Sequence, residues 1–133
     1  MTLAGFNVTL YSAYNPQHLR PILDKGGIEY SGFKGEGFVR LKATTGFEEA
    51  ITNADLIIII TPSSVHEVYA MLLGAAFRKS QNSNDRRIVM LYGSNTGAAL
   101  FVSKILKSVG ISQTLVCETD ILPYECRLQK TRS

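Results

Sequence analysis

The chain has 133 residues, 45% of them hydrophobic and 19% charged, which is the size and composition of one globular core and excludes a disordered polyelectrolyte. Lys and Arg at 14 against Asp and Glu at 11 leave a net charge of 14 − 11 = +3, a balance that suits an anionic small ligand as well as nucleic acid. No interleaving of aromatic and basic residues of the RNA-binding kind occurs, so no nucleic-acid partner is expected. The two cysteines, Cys117 and Cys126, form neither a CxxC nor a paired Cys/His spacing, which implies no metal site and a reducing, cytoplasmic setting. A basic n-region and a long apolar h-region are both missing from the N-terminus, so neither a secretory signal nor a membrane partner is expected.

In chain order, Asn7 to Ser12 alternates and is predicted as a strand, with Val8 and Leu10 directed inward. Asn15 and Pro16 mark a helix start, and Leu19, Ile22 and Leu23 form the apolar stripe of a helix stopped by Gly26-Gly27. Ile28 to Ser31 and Phe38 to Thr44 alternate on either side of a Gly-rich FKGEG, a predicted hairpin. Phe47 to Asn53 is a short helix with Glu48 and Glu49 in its first turn. The run Leu56 to Ile60 has no polar residue and is β-branched, so it is expected as a strand buried on both faces in the middle of a sheet. Pro62 ends that strand, and Ser63 or Ser64 is expected to cap a helix from Val65 to about Arg78. Ser80 to Asp85 is a polar loop, Arg87 to Tyr92 a strand, Gly93 to Gly97 a turn, and Ala98 to Val109 a helix closed by Gly110. Thr114 to Thr119 and then Pro123 to Gln129 complete the strands.

This alternation predicts an α/β, Rossmann-like architecture, a mostly parallel sheet with helices on both faces. Ligands bind beyond the carboxyl ends of such strands, which places the ligand-facing edge at Thr61, Pro62, Ser63 and His66. The first strand of that fold and its G-x-G-x-x-G turn are missing, since only MTLAGF precedes Asn7. In the usual strand order the missing strand sits between the second and the fourth, so the isoleucine run is expected to lack a neighbour on one side. Truncation, or a partner or second copy filling the gap, are the alternatives.

The segments HLRPILDKGGIEYSG, GEGFVRLKATTGFEEAITNADLIIIITPSSVHE, IVMLYGSNTGAALFVSKIL and ETDILPYECR together resemble the NAD/NADP octopine/nopaline (opine) dehydrogenase family, in that family's order and over almost the whole chain. The resemblance implies an N-terminal Rossmann domain and an all-helical catalytic domain, and the reductive condensation of an α-keto acid with an amino acid by NADH or NADPH. Residues 1–133 then correspond to a partial dinucleotide-binding domain truncated at both ends. The glycine fingerprint and the helical domain with the family's catalytic His fall outside it, so no catalytic residue is assigned and the chain alone is expected to be inactive.

By the same resemblance Thr61, Pro62, Ser63 and His66 line the nicotinamide–ribose region, with His66 an orienting donor. The plainer reading is that Pro62 ends a strand, Ser63 caps a helix and His66 is an exposed first-turn residue. Ser12 stands where an acidic residue would take the ribose 2′-hydroxyl, which permits a 2′-phosphate with Arg20 as a remote counter-charge; a solvated strand end fits equally well. Gly93, Asn95 and Gly97 resemble the turn that approaches the cofactor, and glycine there is equally explained by backbone angles. Glu118, Thr119, Tyr124, Cys126 and Arg127 fall where the family's chain passes the nicotinamide. Arg127 is the residue expected to contact an anion, and core packing is the alternative for Tyr124 and Cys126. Ketopantoate reductase and glycerol-3-phosphate dehydrogenase relatives also place a proline after the fourth strand, but would not be expected to show ETDILPYECR. A non-catalytic remnant that binds a nucleotide weakly or packs on a partner is the reading from outside enzymes.

Overall fold

In the computed structural model the described residues are 1–13, 16–33, 35–80, 87–94 and 96–122. They fall into two compact units that divide between Ala54 and Asp55, and the architecture is mixed α/β with parallel strands. The predicted segment Pro123–Gln129, with Asn15, Asn95, Tyr124, Cys126 and Arg127, lies outside the described residues.

In the first unit the strand expected at Asn7–Ser12 is β1 (Thr9–Tyr11). The helix that follows is α1 (Arg20–Lys25), and it ends at Gly26, whose φ of 70° is left-handed. Gly27 continues into β2 (Gly27–Gly32), which pairs antiparallel with β3 (Gly35–Arg40). The segment predicted as one strand over Phe38–Thr44 divides at Leu41. Its second half is β4 (Lys42–Thr44), which leaves the hairpin and pairs parallel with β1. α2 (Phe47–Ile51) follows, shorter than expected. Thr44 holds the turn between them: its hydroxyl donates to Glu49 and accepts the Gly46 N–H at 3.0 Å. Tyr11 and Phe47 meet edge to face at 5.3 Å. Among the described residues the buried apolar side chains of this unit are Leu19 and Ile51, a thin core.

The second unit holds the larger core. β5 (Leu56–Ile59), β6 (Ile88–Leu91) and β7 (Leu115–Glu118) form a parallel sheet in the order β5-β6-β7. Their register aligns Ile57, Val89 and Val116 in one row and Ile59, Leu91 and Glu118 in another. Side chains alternate across a strand, and in β6 Val89 and Leu91 are fully buried while Ile88 and Met90 are half-buried. α3 (His66–Lys79) and α4 (Ala98–Ser108) pack on each other, and α4 packs on β6 and β7. α3 buries Ala70, Leu73, Gly74 and Phe77, and α4 buries Ala98, Val102 and Leu106. A Cβ on Gly74 would lie 2.6 Å from Val109 Cγ2, so the small residue sets how closely the helices approach. Arg87 stacks over Phe77 at 4.9 Å, joining the end of α3 to the start of β6.

The expected open side of the isoleucine run holds, while its place in the middle of the sheet and its full burial are corrected. Among the described residues β5 pairs with β6 alone and is an edge strand of its sheet. Within the run only Ile59 is buried, Ile57 and Ile58 are half-buried, and Ile60 is 61% exposed. The physical reason is shared: an apolar strand is covered on both faces only where neighbours flank it, and β5 has one flank open. The central strand is β6, with its fully buried Val89 and Leu91.

Candidate functional site

The carboxyl ends of β5, β6 and β7 converge on one edge of the second unit. The ladder runs past the strands: Tyr92 N–H donates to Ile59 O at 3.0 Å, Thr119 N–H to Leu91 O at 2.9 Å and Ser94 N–H to Thr119 O at 3.1 Å. The Thr119 hydroxyl donates to Ile121 O at 2.9 Å and accepts the Gly93 N–H at 3.3 Å. Thr119 thus ties two strand-end loops together.

After β5 the chain turns through Thr61 and an exposed Pro62 into a short 3-10 turn, Ser63–Val65, before α3. The cap positions fall at Pro62 ahead of the 3-10 turn and Val65 ahead of α3, not at Ser63 or Ser64 as expected, and neither Pro62 nor Val65 makes a side-chain cap. Placing both serines inside the tighter turn moves their side chains off the cap position. His66 is 1% exposed, and its Nε2 lies 3.2 Å from the Thr61 carbonyl oxygen. That oxygen only accepts, so Nε2 carries the proton of this bond. The imidazole therefore braces the β5–α3 turn from inside, whereas the plainer sequence reading has it exposed.

Glu118, at the end of β7, accepts the Ala99 N–H at 2.7 Å and the Gly97 N–H at 2.9 Å. Its carboxylate satisfies the start of α4, which has no cap from its own flanking residue. The Ala99 and Gly97 amides hold its pKa below the ordinary carboxylate range, against a smaller opposing effect of burial. A depressed acid contributes stability above its unfolded value and loses it as pH falls through the folded value. Glu118→Gln is therefore expected to flatten the loss of stability below about pH 5, measured by denaturation across pH 2–7; an unchanged acid limb would contradict the contact.

Two hydroxyls here have no partner. Thr61 Oγ1 and Ser94 Oγ are buried without a hydrogen bond, at the ends of the adjacent strands β5 and β6. A buried hydroxyl left unpaired costs about 1–3 kcal/mol, and such strain collects at functional sites. Sequence reasoning chose Gly93, Asn95 and Gly97 in this turn and passed over Ser94. The signal was its position as the first polar side chain beyond the buried β6 core, Tyr92's phenol aside.

Thr61, Pro62, Ser63, His66, Glu118 and Thr119 thus share one edge of one unit, with His66 and Glu118 turned to bracing its frame. Ser12 lies in the other unit, half-buried, its N–H donating to Thr44 O at 3.4 Å. Arg20 begins α1 and lines an open depression with Gln17, Pro21, Asp24 and Lys25. No group of three or more His, Cys, Asp or Glu that could hold a metal occurs among the described residues, and none of their helices is long and apolar enough to cross a membrane.

The fold and this edge define a mixed α/β domain of Rossmann-like kind, with polar groups gathered at the carboxyl ends of parallel strands. No protein-family model matches the chain. Opine dehydrogenase from Arthrobacter sp. (strain 1C) is 28% identical to it over 132 residues, which are 98% of this chain and 34% of that protein. The chain thus spans about a third of the relative's length, and the likeness is a distant, family-level one.

Proposed function

We propose that the chain is a dinucleotide-binding portion of an opine dehydrogenase-like oxidoreductase, with the ends of β5 and β6 facing the ribose–nicotinamide half of NAD or NADP. The observation that carries this is the pair of unpartnered buried hydroxyls, Thr61 Oγ1 and Ser94 Oγ, at the ends of β5 and β6. Each hydroxyl can donate to and accept from the hydroxyls and amide of that half of the cofactor once the strand ends open to admit it. They do not supply a pyrophosphate cradle: the sequence has no G-x-G-x-x-G, and the α4 start is already taken by Glu118. When bound, the nicotinamide would supply hydride chemistry, and the protein's part is to bind and orient it. A keto acid and an amino acid are the substrates this reading assigns to the whole enzyme, with Arg127 a contact for their carboxylates.

Titration with NADH and NADPH, followed by nicotinamide fluorescence and calorimetry, tests the reading. Saturable binding near 1 mM, about −4 kcal/mol, is expected for half a site. Ser94→Ala and Thr61→Val are expected to weaken it while raising stability by about 1 kcal/mol each, because each removes an unpaired hydroxyl. No saturable binding, or binding indifferent to both substitutions, would overturn the reading. With pyruvate and a panel of amino acids, NADPH oxidation is expected to stay at background.

A further inference from the structure

α3 has two apolar sides. His66, Ala70, Leu73 and Phe77 form the buried one. At 3.6 residues per turn, Val68, Met71, Leu72 and Ala75 fall on the opposite side. There Val68 is 58% exposed, Met71 50% and Leu72 39%, and Ala75 is also exposed. A surface helix normally turns a polar face outward, and one that is apolar all round is normally covered on both sides.

We propose that this outer face of α3 is covered by α3 of a second copy of the chain, packed antiparallel about a twofold axis. The charges select that occupant. Glu67 in the first turn and Arg78 in the last are both exposed, and the 78 − 67 = 11 residues between them make about three turns. They therefore lie on the same flank of the apolar stripe. A twofold axis across the helix, level with the midpoint at about residue 72.5, keeps each flank beside its equivalent and reverses the direction. Glu67 of each copy then stands beside Arg78 of the other, and the two helix dipoles oppose. Leu72 meets its own copy near the axis, and Ala75 of one helix falls between Val68 and Met71 of the other, so small faces large. A parallel pair, related by a twofold along the helices, would instead put Glu67 and Arg78 of the two copies on opposite flanks and leave them unpaired. The inference is independent of whether a nucleotide binds.

A 14-residue helix is about 21 Å long, so one helix pair buries less than the roughly 800 Å² per partner of a standard interface. A weak dimer follows, and it is sought by sedimentation equilibrium of the full chain from about 10 μM to 1 mM. The expected result is a monomer at the low end and a dimer at the high end. Leu72→Glu should raise the dissociation constant more than about tenfold, and Glu67→Arg or Arg78→Glu alone about tenfold, since symmetry turns two attractions into two repulsions. The double reversal Glu67→Arg/Arg78→Glu should restore the dimer, which a merely structural role would not do. Leu72→Cys, with Cys117 and Cys126 replaced by Ser, should cross-link on oxidation at high concentration. Glu67, Leu72 and Arg78 are exposed, and circular dichroism checks that each variant folds. A monomer throughout the range, a dimer unmoved by Leu72→Glu, or no rescue by the double reversal would overturn the proposal.

Discussion

Leu91→Ala is expected to destabilise the second unit by about 3 kcal/mol, measured by urea denaturation. Leu91 is fully buried in β6, the strand flanked on both sides. Its row, Ile59–Leu91–Glu118, joins the core to the candidate site. The cost combines lost apolar transfer with a cavity that three hydrogen-bonded strands cannot close by shifting. A native domain holds only about 5–15 kcal/mol in all, so the variant should also lose amide protection across β5, β6 and β7. Leu100→Ala, at a position 77% exposed in α4, should cost under about 0.5 kcal/mol. Equal effects at the two positions would mean that β6 is not the centre of this core.

The second large effect is expected at Gly27. A Cβ there would lie 2.1 Å from the Val39 carbonyl oxygen, 2.7 Å from the Phe38 ring and 2.9 Å from the Val39 carbonyl carbon. The nearest atom is backbone in the partner strand, so no rotamer change relieves the clash and β2 must part from β3 where Gly27 pairs with Arg40. Gly27→Ala should cost about 3 kcal/mol or more. Hydrogen exchange would show it as lost protection in β2 and β3, with the amides of β6 and α4 unchanged. Gly37→Ala is the control: its added Cβ meets the end of the Tyr30 side chain at 3.0 Å, which can swing aside. If Gly27→Ala is as mild as Gly37→Ala, the hairpin register is wrong.

The elements of the second unit were legible because each rests on local chemistry. Apolar β-branched runs mark β5 and β6, helical spacing marks α3 and α4, and prolines and glycines mark the ends. What misled was neighbourhood. The alternation from Val39 to Thr44 is unbroken, so nothing in it announces that the chain changes partner at Leu41 and leaves an antiparallel hairpin for a parallel pairing. The isoleucine run states how apolar a strand is, and that does not fix how much of it other elements cover. At the candidate site, Thr61, Pro62 and Ser63 followed from the rule that ligands gather at strand ends. The inward turn of His66, the use of Glu118 on the α4 amides and the unpaired Ser94 hydroxyl depend on contacts up to 21 residues apart. No window of sequence displays them.

The way α4 is completed bears on the order in which the polypeptide matures. Synthesis runs from the N-terminus, so α4 is polymerised before the glutamate that satisfies its first amides has been added. The carboxylate arrives about 20 residues later, at the far end of β7. Until β7 docks, the leading turn of α4 is left to water, and released chains ending short of Glu118 should fray there. The last described strand of this sheet is thus also the one that finishes the helix before it.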